Sequence, residues 1–540
     1  MLESLANFVN AAIVSSGLEK YLVYQTGDAM VHPGLPLGWV VSVLFLMLFM
    51  IFWMSRKVPR NISDATISLN SIPLFGGISV GRITLSFITR PQLITSLRII
   101  SSLIFLLVIA SGLFGTAIAE RNLATMLTWT LWWSGVVISI LFVGSAWCAI
   151  CPWDAIATWL VRQRLWRRAR ENSSLNLKVP KYLQNIWPAI ILFVVLTWLE
   201  LGVGITTNPY ATALLALFIV VLATVSLAVY ERKAFCRYFC PVGRTIGAYA
   251  GIAPIALRPI NKSICHSCKT RECFHGSENI EPCPTYLLMG SIKQNTYCTS
   301  CGACTQSCPK QNINWQLRPL GYEATYVARP HWDESWFILG LLSLTLFHGF
   351  TMLPFWQDWM QKLAYLIGDS GQLLISFSIG MFLAMLVPII LYSLSISLLS
   401  KISENTEWRR LFSAMAFSIL PLAFSFHLAH NLSHLVRESK GFWSVLMNPF
   451  GTNTLPLSAQ EIHLRHSNAI LPNDLVSAMQ ALLILLGFWI ALKILRYRVS
   501  QITSDILNYS RWVPLPMILF ISSISLLSLW LLMQPMVMRM

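Results

Sequence analysis

The chain has 540 residues, 55% of them hydrophobic and only 11% charged, with 21 tryptophans. A soluble domain carries about a quarter of its residues as Asp, Glu, Lys and Arg, so the composition excludes a purely water-soluble protein. The net charge of +16 does not call for a nucleic-acid partner, because the basic residues flank apolar stretches and there report topology.

Residues 1 to 37 read as an outer leader. It carries Glu3 and no basic n-region, unlike a secretory signal, and its amphipathic stretch from 5 to 18 is expected to lie on the membrane surface. Ten apolar segments long enough to cross about 30 Å of hydrocarbon follow. They fall near 38–54, 99–119, 125–147, 187–205, 210–230, 335–355, 371–398, 411–434, 475–495 and 513–533. With the N-terminus outside, the inner loops and tails hold 32 of the 39 Lys and Arg residues and the outer side holds seven. The positive-inside rule therefore predicts both termini outside a bacterial-type inner membrane. It also puts all twelve cysteines at the inner face, where thiols stay reduced and a disulfide scaffold is not expected. The predicted fold is an all-α polytopic membrane protein with a small cytoplasmic insert. Its parts are the leader, a membrane domain over 38–252, the insert over 253–330 and a five-helix membrane domain over 331–540.

Two spans of the first membrane domain end in a cysteine pair followed by proline: Cys148-Ala149-Ile150-Cys151-Pro152 and Cys236-Arg237-Tyr238-Phe239-Cys240-Pro241. A simple reading is buried small hydrophobes at helix ends. Against it, Arg232, Lys233, Arg237 and Arg244 surround the second pair, and positive charge lowers a thiol pKa. A single site using all four thiolates fits the spacing, as an iron–sulfur cluster, a bound metal or a dithiol switch. Glu200, well inside the fourth span, is a candidate proton relay to a quinone or an anchor at the headgroups. The basic run Arg162, Arg164, Arg167, Arg168 and Arg170 flanks a short amphipathic stretch, Asp154 to Trp166, and is expected to hold it to anionic lipid.

The insert carries the most specific motif. Cys298-x-x-Cys301-x-x-Cys304-x-x-x-Cys308-Pro309 has the spacing of a cubane 4Fe-4S site, and Cys265-x-x-Cys268, Cys273 and Cys283-Pro284 form a looser partner. Structural zinc uses paired Cys-x-x-Cys knuckles, which gaps of two, two and three ending in Cys-Pro do not match. In two-cluster ferredoxins the last cysteine of each run ligates the other cluster. That rule assigns Cys265, Cys268, Cys273 and Cys308 to cluster 1, and Cys298, Cys301, Cys304 and Cys283 to cluster 2. His266 and His275 sit beside complete cysteine sets and are expected to hydrogen-bond near a cluster, not to ligate it.

Membrane helices ending in Cys-Pro turns, repeated in two hairpins and followed by a two-cluster insert, together resemble the NapH/NosR-type membrane polyferredoxins. That family includes electron-transfer subunits of nitrate and nitrous-oxide respiration and a copper reductase of cytochrome oxidase assembly. The resemblance covers about residues 99–330, with Cys236 and Cys240 matching its second pair and the insert cysteines its cluster ligands. The first pair departs, with two residues between Cys148 and Cys151 instead of three. The resemblance implies electron transfer between iron–sulfur clusters and membrane or outer-side partners, within a complex or with a quinone pool.

The last five spans contain no cysteine. His427, His430 and His434 share one face of the eighth span, and His348 lies at similar depth in the sixth. Such a set suits a b-type haem, another metal or a quinone pocket, or plain hydrogen bonding between helices. His463 and His466 read as a solvated outer loop. Two functions stay open: passage of electrons between clusters and a quinone, haem or outer partner, and a redox-dependent copper reductase or assembly factor for a respiratory metalloenzyme.

Overall fold

The computed structural model describes residues 31–32, 34–55, 67–68, 90–163, 174–370, 373–403, 407–458, 460–461, 471–502 and 513–537. The leader's amphipathic stretch, most of the 55–98 loop, Arg164, Arg167, Arg168, Arg170, His463 and His466 lie outside the described residues.

All ten expected spans are helical. In chain order the helices are α1 (Leu37–Ser55), α2 (Pro91–Phe114), α3 (Leu123–Val143), α4 (Pro152–Arg162), α5 (Trp187–Val203), α6 (Pro209–Val229) and α7 (Pro241–Tyr249). The second half adds α8 (Trp332–Thr351), α9 (Pro354–Ile367), α10 (Leu374–Ile402), α11 (Trp408–Glu438), α12 (Asn473–Ile502) and α13 (Leu515–Met533). Eight of these are long and apolar enough to cross a bilayer on their own, α5 is shorter, and α8 bends by 93° into α9. The protein is thus polytopic and helical, embedded in lipid.

Two boundaries moved for identifiable reasons. Proline at the first turn lets α2 begin at Pro91, eight residues before the apolar run, and the Arg98 side chain in that extension is buried in an ion pair instead of facing lipid. Proline also opens α9, turning the chain aside after Thr351, so the sixth span ends there.

The core centres on α11, the apolar window of which is wholly buried, whereas only 22% of the α1 window is. Helices α8 and α12 pack along α11. Its polar residues therefore face protein and not lipid, which is the only arrangement that spares a bilayer the cost of uncompensated polar groups. Short antiparallel strands Val31–His32 and Met536–Val537 pair, so the two ends of the described chain lie together.

The insert is built on strands β1 (Ile255–Pro259) and β2 (Ile313–Leu317), antiparallel in register from Ile255↔Leu317 to Pro259↔Ile313, with Ile67–Ser68 pairing on the far side of β2. A buried carboxylate ties this sheet to the membrane domain. Glu323 accepts from both Arg258 and Arg318, and Arg318 also donates to the Ala250 and Ala253 carbonyls just past α7. Gly247 faces the Thr296 carbonyl so closely that a Cβ there would collide with it, which lets α7 lie directly on the insert.

Candidate redox centres and the membrane cavity

The two Cys-Pro turns solve one problem in two ways. The shorter pair uses a tight 3-10 turn, Ala146–Ala149, and the longer pair a wide π turn, Phe235–Phe239. A 3-10 turn is tighter than a π turn, so the pair with the extra residue is also the one on the wider turn. In both, the second cysteine is the N-cap of the next helix and proline is its first residue. The Cys240 sulfur accepts the Gly243 N–H at 3.2 Å, and Cys151 accepts backbone N–H groups of Asp154 and Trp153. Such N–H···S bonds favour a thiolate at a helix N-terminus.

Tertiary packing unites the pairs. Cys148 lies within electrostatic range of Cys151, Cys240 and Cys236, and the last three line one small cavity, so the four thiols lie together as a quartet. Burial is the largest influence on these thiols and weakens their acidity, pushing Cys151, Cys236 and Cys240 up to about 12. This corrects the expectation that neighbouring cations would make the second pair acidic. Lys233 and Arg244 do act downward on Cys236, but burial outweighs them.

The cations have other occupations. Lys233 and Arg98 both bind Asp154, with side chains 6%, 2% and 10% exposed respectively. Arg244 donates to the carbonyls of Thr296 and Cys236, Arg237 to that of Thr285, and Arg232 to that of Cys283 while lying over the Tyr286 ring. Three of the four thus tie the helix ends to the insert backbone. Arg162 pairs with Glu281 of the insert, so the lipid role expected for it is replaced by docking. Asp154 sits three residues past Cys151, and an acid at the start of a helix was the available signal of its importance. Substituting Asp154 with Asn strips two buried cations of their shared carboxylate. Breaking a buried pair this way costs about 3–5 kcal/mol, so thermal unfolding in detergent should shift sharply downward in Asp154→Asn.

The insert forms two further quartets. Cys273 feels Cys265, Cys308 and Cys268, and Cys304 feels Cys301, Cys298 and Cys283. Cys304 also feels Cys273, so the quartets are neighbours. Asn312, unremarked in the sequence, links the two ends of the first: its side chain donates to Cys265 Sγ at 3.3 Å and its backbone N–H to Cys308 Sγ at 3.5 Å. Burial pushes Cys298 up to about 11, whereas the half-buried Cys268 is lowered by hydrogen bonds from Arg271 and Thr270.

Above the first quartet, inside the membrane domain, lies a cavity of about 460 Å³. Its lining includes Cys151, Pro152 and Pro241 from the quartet's turns, together with Trp129, Trp132, Trp133, Trp147 and Trp153. Trp132 packs edge-on to Trp147 and Trp153, and Trp129 donates to Thr212 Oγ1 at 3.0 Å. Two of the segments lining it are locally wound wide: Met126–Trp132, which carries Trp129 and Trp132, and Leu199–Val203, which carries Glu200, are π-helical. Ile100 and Ile104 also line it and are exposed at the apolar perimeter, so it is reached from the bilayer.

Glu200, Trp133, Phe193 and Thr197 line this cavity and a second of about 40 Å³, which also takes in His348, His427, His430 and Asn431. The structure thus gathers all four candidate histidines. His348 Nδ1 lies 3.9 Å from Glu200 Oε1, the His348 and His430 rings are edge to face at 5.1 Å, and His430 Nε2 and His434 Nε2 are 3.1 Å apart. His427 Nδ1 pairs with the Tyr249 hydroxyl at 3.2 Å. These imidazoles are spent on one another and on neighbouring side chains, and a 40 Å³ space leaves no room for a porphyrin between them, so the residues do not fit a haem.

A family model described as a 4Fe-4S binding domain matches residues 125–170 and 211–249, the two windows holding the Cys148–Cys151 and Cys236–Cys240 pairs. The chain is 25% identical over 135 residues to the putative electron transport protein YccM of Escherichia coli strain K12, covering 24% of this chain and 35% of that protein. It is also 25% identical over 192 residues to the uncharacterized protein MJ0750 of Methanocaldococcus jannaschii, 33% of this chain and 75% of the relative. To MJ0749 of the same organism it is 25% identical over 201 residues, 37% and 73% of the two chains. The chain thus spans about a third of the length of YccM. No solved structure matches it. Across both cysteine hairpins, then, this membrane protein is similar to an iron–sulfur binding domain.

Proposed function

We propose that this protein exchanges electrons between a redox lipid of the quinone class, bound in the 460 Å³ cavity, and iron–sulfur centres held by three cysteine quartets at the cytoplasmic face of an inner membrane. The observation that carries this reading is the wall shared by cavity and quartet: Cys151 and the two proline turns line the one and build the other. The volume falls in the usual range of about 300–1,000 Å³ for a small-molecule pocket, and an apolar lining with few polar groups suits a lipid headgroup ring.

Cys148, Cys151, Cys236 and Cys240 would hold one 4Fe-4S cluster, Cys265, Cys268, Cys273 and Cys308 a second, and Cys283, Cys298, Cys301 and Cys304 a third. Each such cluster, when bound, takes up or gives up one electron. The chain's own contribution is to bury the sulfurs, to donate N–H groups from Gly243, Leu287 and Asn312 onto them, and to keep water away with indole rings. Structural zinc is set apart by the insert motif, the gaps of which, two, two and three ending in Cys-Pro, suit a cubane and not paired Cys-x-x-Cys knuckles. The NapH/NosR resemblance over 99–330 and the family match support this reading, as does the positive-inside placement of the insert. A soluble redox partner would dock on the insert.

The test is anaerobic addition of a short-chain quinol to the purified, cluster-containing protein. Partial bleaching of the cluster absorbance and appearance of reduced-cluster EPR signals are expected. Clusters that dithionite reduces but no benzoquinol or naphthoquinol does would overturn the reading.

A further inference from the structure

We infer that Glu200, His348, His430 and His434 form a proton route from the lipid cavity to the membrane face opposite the cysteine quartets, making the redox reaction vectorial. This rests on the quinone reading above and adds a function to it.

Oxidation of one quinol releases two electrons and two protons. The electrons leave singly to the iron–sulfur centre at the cavity wall, and the protons need an acceptor where the hydroxyl bonds break. Among the described residues Glu200 is the one carboxylate lining the large cavity, and its side chain is 18% exposed. It also lines the small polar cavity on the other side. That second space is large enough for one or two waters and is bordered by several hydrogen-bonding groups, the conditions under which a bridging water is expected. A water there spans the 3.9 Å from Glu200 to His348. His430 borders the same small cavity, its ring 5.1 Å from that of His348, so water held there can carry the proton between the two imidazoles, and His434 follows at an Nε2···Nε2 separation of 3.1 Å.

The direction is set by where these residues fall on their helices. Glu200 lies three residues from the end of α5, His348 three from the end of α8 and His434 four from the end of α11. At 1.5 Å per residue each is about 5–6 Å from its helix terminus. The quartet turns lie at the opposite ends, after α3 and α6. Of the elements around the small cavity, α3 contributes Trp133 and, next to it, Ser134, which is bonded to Asn431; α7 contributes Tyr249 on His427, a side branch towards the insert. Intramembrane ionisable side chains are costly, and a connected file of them reaching one face repays that cost most directly as a conduit.

The experiment uses the full-length protein in sealed liposomes containing a trapped pH dye, driven by a short-chain quinol with external ferricyanide, an impermeant oxidant, as acceptor. Only molecules with the insert outward turn over, and the lumen should acidify. Glu200→Gln should slow quinol reduction of the clusters about 100-fold, the order lost with a proton acceptor. His434→Gln, remote from the cavity, should retain quinol binding and cluster content yet lose lumenal acidification. Independently of turnover, the reduced-minus-oxidised infrared spectrum should show a protonated carboxyl band that Glu200→Gln removes. Cluster reduction with protons appearing outside, or variants that behave as the parent, would overturn the relay while sparing the quinone reading; failure of quinol to reduce any cluster would sink both.

Discussion

Replacing Cys308 with serine is expected to eliminate the centre built on Cys265, Cys268 and Cys273, although Cys308 belongs by sequence to the other motif. Asn312 grips Cys265 and Cys308 together, and Cys273 feels both. Serine places a poor iron ligand at that corner, so Cys308→Ser should lose about four of the iron atoms a cubane holds. Its companion, Cys283→Ser, should remove the centre on Cys298, Cys301 and Cys304, because Cys304 and Cys298 feel Cys283. EPR of the dithionite-reduced variants, with iron and sulfide analysis, reads both changes. If Cys308→Ser and Cys298→Ser abolish the same signal, the crossed assignment is wrong.

The second large effect concerns the quartet under the cavity. Intact protein should hold about 12 iron atoms, and Cys240→Ser or Cys151→Ser about eight, with the insert signals unchanged. Quinol should then no longer reduce the insert, because the quartet beside the cavity is the one interrupted. The alternative of a dithiol switch is disfavoured by burial, which pushes Cys151, Cys236 and Cys240 up to about 12. At neutral pH such thiols are protonated and slow in disulfide exchange, since the thiolate is the nucleophile. Intact protein with about eight iron atoms and four alkylatable thiols would restore the switch and end the three-centre proposal.

Legibility in the sequence followed the range of the signal. Apolar runs announce bilayer helices because each must satisfy its own backbone within a single segment, and the ten runs are all helices here. Cysteine spacings of two to four residues are equally local, so both hairpin pairs and the insert motif could be read directly. The hydrogen bonds that Asn312 donates to Cys265 and Cys308 were invisible because an asparagine next to a strand has many ordinary uses. Asp154 looked like part of a lipid-facing amphipathic stretch until Arg98 and Lys233 closed on it. The cations near Cys236 were read through their charge alone, whereas desolvation, which depends on everything packed around the sulfur, outweighs them.

By itself, then, the sequence determined the polytopic helical architecture, the positions of the twelve cysteines and the depth of the histidines, since each depends on periodicity or spacing within a few turns. Only the tertiary structure decided that two pairs some ninety residues apart form one quartet, that a tryptophan-lined cavity opens beside it, and that Glu200 meets His348 across nearly 150 positions. Those contacts join different helices, and helix-to-helix placement is set by the packing of whole faces around α11, which no local pattern encodes.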